Sequence, residues 1–100
     1  MKQHRVYITP EALEEIKDLP GNVRQRIRQA IRELAAMPQP AQSKQLQYPD
    51  PVRQLYRIRL DNWRIVYAIT EEENAVDILA VRKRPPYDYG DLARLLEDKG

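Results

Sequence analysis

The stretch Tyr56-Arg57-Ile58-Arg59-Leu60-Asp61-Asn62-Trp63-Arg64-Ile65-Val66-Tyr67 constrains this chain more than any other. It reads as two short strands joined by a tight turn at Asp61-Asn62, because apolar and polar residues alternate on either side of a turn-forming pair. On the first strand Tyr56, Ile58 and Leu60 share one face, and Arg57 and Arg59 share the other. A strand that buries one face and carries guanidinium groups on the other is a ready surface for phosphates. A second basic run, Arg82-Lys83-Arg84, ends the next strand-like segment.

Around this hairpin the rest of the chain can be placed. Residues 4–8 read as a first strand, stopped by Thr9-Pro10. Thr9 can cap a helix, Pro10 suits its first position and Glu11 complements its dipole. Leu13, Ile16 and Leu19 give that helix an apolar stripe before the break at Leu19-Pro20-Gly21-Asn22. A second helix is expected over about 22–37, with Val23, Ile27, Ala30, Ile31 and Leu34 on one face and Arg24, Arg28 and Arg32 at spacing four away from it. Residues 38–50 carry three prolines and read as a loop. Strands follow at about 53–60, 63–70 and 75–83, joined by short turns that favour antiparallel neighbours. Pro85-Pro86 ends the last strand, and residues 91–99 form a final helix with Leu92, Leu95 and Leu96 on one face.

The expected fold is therefore α+β, in the order β-α-α-β-β-β-α. A helical hairpin packs on one face of a small, twisted, mainly antiparallel sheet. The sheet's other face would carry Arg57 and Arg59. One hundred residues suit a single domain over 1–100.

Composition narrows the chemistry. There are no cysteines, so disulfides, thiol catalysis and Cys-based zinc sites are excluded. The one histidine, His4, rules out a histidine metal cluster or a Ser-His-Asp triad. No metal or other cofactor is expected. No apolar run reaches membrane-spanning length, and the N-terminal residues lack the apolar core of a secretory signal. The expected location is the cytoplasm. Net charge is only +2, but Arg53, Arg57, Arg59, Arg64, Arg82, Lys83 and Arg84 lie in strand-like segments. Much of the acid is elsewhere, at Glu11, Glu14, Glu15 and Glu71–Glu73. A balanced total with a basic centre points to an anionic ligand.

Each candidate has a plainer alternative. Arg57 and Arg59 are phosphate ligands or a solvated strand face. Trp63 is a base-stacking platform beside a basic groove or an anchor at the sheet edge. Tyr87 and Tyr89 stack on a base or pack under the last helix. Arg53, Arg82 and Lys83 join Trp63 as candidate RNA contacts.

In order and spacing, these segments resemble the RelE/ParE superfamily of bacterial toxins from type II toxin–antitoxin pairs, closest to the RelE type. The likeness rests on Leu55-Tyr56-Arg57-Ile58-Arg59-Leu60, on Trp63-Arg64-Ile65-Val66-Tyr67, on the bend Leu19-Pro20-Gly21-Asn22-Val23-Arg24, and on Val81-Arg82-Lys83-Arg84 with a tyrosine soon after. The resemblance implies a RelE-like fold and a ribosome-dependent endoribonuclease that cuts mRNA in the ribosomal A site and is neutralised by a cognate antitoxin. It implies Arg57, Arg59, Arg64 and Arg84 as site residues, with Tyr87 or Tyr89 as the site tyrosine. Ribonuclease members of the family often carry lysines where Arg57 and Arg59 stand, and arginine does not readily give up its proton. Two other readings share the scaffold: a ParE-like inhibitor that binds DNA gyrase, and a non-toxic antitoxin-binding member.

Overall fold

A computed structural model describes residues 3–50 and 52–99, the last two by backbone alone. The elements run β1 (Arg5–Ile8), α1 (Pro10–Lys17), α2 (Gly21–Glu33), β2 (Ser43–Gln45), β3 (Gln54–Leu60), β4 (Trp63–Thr70), β5 (Ala75–Lys83) and α3 (Leu92–Lys99). The five strands form one sheet in the order β1-β5-β4-β3-β2. β1 runs parallel to β5, and every other pair is antiparallel.

The local signals act as expected. Thr9 caps α1, its hydroxyl accepting from the Ala12 amide at 3.3 Å. The same hydroxyl donates to the Ile78 carbonyl at 2.9 Å, which ties the start of α1 to β5. Asp61 adopts a left-handed φ of 53° in the β3–β4 turn, a conformation that Asp and Asn tolerate better than most residues. α2 is shorter than its periodicity predicts. The amides of Leu34, Ala35 and Ala36 bond three residues back, so the helix tightens and ends before Pro38.

β2 was not foreseen. Its three residues lie in the segment read as a loop and carry no apolar alternation. They become a strand because β3 offers them an edge to pair with, in the register Ser43↔Ile58, Lys44↔Arg57 and Gln45↔Tyr56.

Both faces of the sheet are covered, though unequally. On one face the helical hairpin buries Ala12, Ile16, Ile27, Ile31 and Leu34 against Ile58, Ile65, Tyr67, Ile69, Val76 and Ile78. On the other, Leu95 and Leu96 of α3 cover Leu55, Val66, Ala68, Leu79 and Ala80, with Tyr48, Tyr87 and Tyr89 packed around them. A register shift at Val66/Tyr67 lets the consecutive residues Leu79 and Ala80 join this second core. Burying leucines of this kind contributes about 2 kcal/mol each. The second face is thus not given over to Arg57 and Arg59, as the pattern alone suggested. The second core occupies its middle, and the arginines hold the end next to the β3–β4 turn.

Candidate functional site

The site is built by strand register. Arg59 stands directly opposite Arg64, and Arg64 directly opposite Arg82. Directly opposed residues share a face, so these three arginines form a row across β3, β4 and β5 on the α3 side of the sheet. Trp63 pairs with Lys83 on the hairpin side instead. The half-buried Trp63 packs against the hairpin-side core. The structure therefore separates Trp63 and Lys83 from the arginine row.

Arg64 is the fixed point of the row. It is only 8% exposed, and its Nη1 donates to the carbonyls of Asp61 (3.0 Å) and Trp63 (3.1 Å). The turn that supplies those carbonyls is held in turn by Arg26 of α2, which pairs with Asp61 at 2.6 Å. Arg64 cannot swing away as a surface arginine would, and its other guanidinium nitrogens have no partner among the described residues. Arg59 is exposed, with no side-chain partner among the described residues.

Arg82 belongs to the row by register but not by chemistry. Its Nε donates to Glu15 at 2.6 Å, its Nη1 to Asp91 at 2.5 Å and its Nη2 to Glu11. Arg94 pairs with Glu11 and Asp91 in the same cluster. Three carboxylates neutralise Arg82, so it joins α1, β5 and the start of α3. Hydrogen bonds to Arg94, above all, hold the Glu11 carboxyl below its ordinary range. Burial would raise the Asp91 carboxyl, but hydrogen bonds from Arg82 and Tyr87 outweigh it and the net shift is downward.

The two tyrosines differ in the same way. Tyr87 lies under the Arg82 guanidinium (4.9 Å to the ring centre), and its hydroxyl donates to Asp91 at 2.7 Å. Burial, together with that carboxylate, raises its pKa above the ordinary range. Tyr89 lies under Arg84 instead, 5.0 Å from guanidinium to ring centre. Its hydroxyl is buried, without a hydrogen-bond partner among the described residues, and its backbone takes a left-handed φ of 63°. The two rings meet edge to face at 5.0 Å. Arg84 itself is exposed, and its amide donates to the Asn62 carbonyl at 2.7 Å, which brings it to the β3–β4 turn beside Arg64.

Arg57 leans the other way. Its Nη1 makes a long contact of 3.5 Å with the Gln42 carbonyl, next to β2. Arg53 pairs with Asp50 at 3.1 Å, and the same carboxylate accepts the amides of Val52 and Arg53. Those amide bonds, the Arg53 amide first, hold the Asp50 carboxyl low, so Arg53 closes a local turn. Sequence reasoning missed one cation altogether. Lys44 of β2 stands opposite Arg57 and is exposed. A three-residue polar strand leaves no periodic signal from which to find it.

This sheet, with its helical hairpin and its arginines gathered beside the turn, defines a RelE-like toxin fold. Over residues 6–85 the chain matches the family described as the ParE toxin of the type II toxin–antitoxin system, parDE. It belongs to that family, within the RelE/ParE superfamily read from the sequence. Among solved structures it is similar to the RelE–RelB complex of Pyrococcus horikoshii (TM-score 0.75, 23% identity, 85% of this chain and 99% of that one). It is also similar to the intact Escherichia coli RelBE toxin–antitoxin complex (TM-score 0.67, 26% identity, 80% and 95% covered). The isolated Escherichia coli RelE toxin aligns over 97% of this chain and 99% of its own, with TM-score 0.68 and 21% identity. No curated protein matches.

Proposed function

We propose that this toxin is an mRNA endoribonuclease that works on the ribosome, and that Arg59, Arg64, Arg84 and Tyr89 form its working site. One observation carries this reading. Arg59 and Arg64 face each other across β3 and β4 with no carboxylate partner among the described residues, whereas the next arginine in the row, Arg82, has three. Like charges directly opposite each other destabilise a sheet. An anionic ligand that bridges them removes that penalty.

The chemistry follows from the placement. The ribose 2′-oxygen attacks the neighbouring phosphorus, the 2′-hydroxyl loses its proton, an O2′–P bond forms and the P–O5′ bond breaks. The products are a 2′,3′-cyclic phosphate and a 5′-hydroxyl. Negative charge builds on the non-bridging oxygens, and fixed guanidinium groups at that point lower the barrier. Arg64, locked by two turn carbonyls, and Arg84, seated on Tyr89, are the preorganised pair for this charge. Arg59, exposed and without a carboxylate partner among the described residues, positions the backbone and stabilises the departing O5′. No arginine accepts a proton near neutral pH. Deprotonation is therefore driven by the field of the arginines, with the 2′ proton passing to water or to a ribosomal group and the departing O5′ taking a proton from water to become the 5′-hydroxyl. Tyr87 is tied to Asp91, which leaves Tyr89 as the tyrosine beside the phosphate. Trp63, Lys83, Arg53 and Arg82 are not used.

The Escherichia coli RelBE structure is a toxin–antitoxin complex, and that of Pyrococcus horikoshii is a RelE–RelB complex. On that ground we infer a cognate antitoxin as this chain's partner too, and a single toxin domain acting in the cytoplasm. The match to the ParE family supports a second reading, inhibition of DNA gyrase by binding. The test is induced expression in a bacterium, with growth and primer-extension mapping of mRNA followed together. Cuts within translated codons that vanish when translation is blocked are the expected result. Growth arrest with intact mRNA and induced DNA damage would transfer the reading to gyrase.

A further inference from the structure

We infer that Lys44 and Arg57 form a second phosphate subsite, which grips the phosphate adjacent to the scissile one. The inference rests on the nuclease reading and extends it to the register of the RNA strand.

Lys44 and Arg57 are directly opposed across β2 and β3, so both project on the face that carries Arg59 and Arg64. Neither has a carboxylate partner among the described residues. The contact of Arg57 with the Gln42 carbonyl draws its guanidinium toward β2 and Lys44. The sheet end thus holds two unneutralised like-charge pairs, Lys44–Arg57 and Arg59–Arg64. Arg57 and Arg59 are two residues apart, so the pairs are offset by about 7 Å along β3. That offset suits neighbouring phosphates of one extended strand. The Arg59–Arg64 pair continues toward Arg84 and Tyr89, where the reacting phosphate is placed. The Lys44–Arg57 pair lies toward the edge strand, away from that phosphate, and so acts in binding alone. Lysine serves such a role as a mobile point charge. An edge-strand lysine also discourages sheet-to-sheet pairing. That role alone would not couple it to any particular phosphate.

The test is single-turnover cleavage on ribosomes programmed with a synthetic mRNA, natural or with one neutral methylphosphonate next to the scissile linkage. Lys44→Gln and the neutral linkage should each lower kcat/KM about tenfold, and together no more than about tenfold, because each removes the same contact. The loss should fall on KM, with kcat retained. Arg64→Gln should lower kcat on both messages. Independent, multiplying effects of Lys44→Gln and the neutral linkage would overturn the inference and leave the nuclease reading standing. So would a Lys44→Gln variant with unchanged kinetics. Absence of cleavage by the unaltered toxin would overturn both.

Discussion

The guanidinium of Arg84 lies over the ring of Tyr89, 5.0 Å from its centre, while two residues earlier Arg82 lies over Tyr87 at 4.9 Å. These matching pairs have opposite surroundings. Arg82 and Tyr87 are closed off by Glu11, Glu15 and Asp91, and Arg84 and Tyr89 are not. The first pair is tied into the fold; in the second the Arg84 side chain is exposed, while the Tyr89 hydroxyl is buried.

Substitution of the phosphate-facing arginines should separate activity from folding. Arg84→Gln removes an exposed side chain with no carboxylate partner among the described residues, so the melting temperature should hold. Cleavage should fall about 100-fold, the usual size of effect for one preorganised charge-stabilising donor. Arg64→Gln should reduce cleavage at least as much. It should also lower stability by about 1 kcal/mol, since its bonds to the Asp61 and Trp63 carbonyls are lost. Cleavage rates beside thermal melts of each variant check both claims.

The tyrosines give a sharper contrast. Tyr87→Phe deletes a hydrogen bond to an ionised carboxylate and should lower stability by about 1–2 kcal/mol with little effect on rate. Tyr89→Phe deletes a buried hydroxyl that has no partner among the described residues, so stability should stay level or rise slightly. Its cleavage rate should stay close to that of the unaltered toxin, because the ring that seats Arg84 is kept. A rate that fell in Tyr89→Phe would mean that the hydroxyl leaves its buried position to reach the phosphate.

Much of this arrangement was legible in the residues themselves. The β3–β4 hairpin, the Thr9-Pro10 helix start and the leucines of α3 all rest on short-range pattern, and each forms where that pattern puts it, whereas the second core confines the arginine face to one end of the sheet. What stayed hidden depends on distant partners. Arg82 and Arg84 look equivalent in sequence, and carboxylates 9, 67 and 71 positions away distinguish them. β2 is a strand only because β3 has an open edge, so Lys44 gave no sign of its place opposite Arg57. The choice between Tyr87 and Tyr89 likewise turns on Asp91, whose hydrogen bond the spacing after Arg84 does not reveal.

The carboxylate cluster makes stability sensitive to acid. The folded Glu11 and Asp91 carboxyls sit below their ordinary range, so the stability they contribute is complete above the unfolded pKa of about 4. It is lost as pH falls through the lower, folded values. Arg82→Gln leaves three carboxylates without their shared cation and should destabilise by about 2 kcal/mol at neutral pH, a figure moderated by partial solvent exposure. That gap should close on acidification as the carboxylates protonate. Melting curves of both proteins between about pH 2 and pH 7 test this, and a gap that stays constant with pH would contradict the cluster's role.

The join between the helical hairpin and the sheet should depend on Thr9. Its amide and its hydroxyl both donate to the Ile78 carbonyl, at 3.1 and 2.9 Å, while the hydroxyl oxygen also caps α1. Thr9→Ala keeps the amide bond but loses the cap and the buried hydroxyl bond together. The expected loss is about 1–2 kcal/mol, or roughly 4–8 °C in melting temperature per kcal/mol for a domain of this size. Thr9→Ser keeps the oxygen and should recover most of it. Because Thr9 lies outside the Arg59–Arg64–Arg84 group, both variants should cleave at the unaltered rate when assayed below their melting points. A rate that fell with Thr9→Ala and returned with Thr9→Ser would mean that the position of α1 reaches the site through the Glu11 and Glu15 contacts to Arg82.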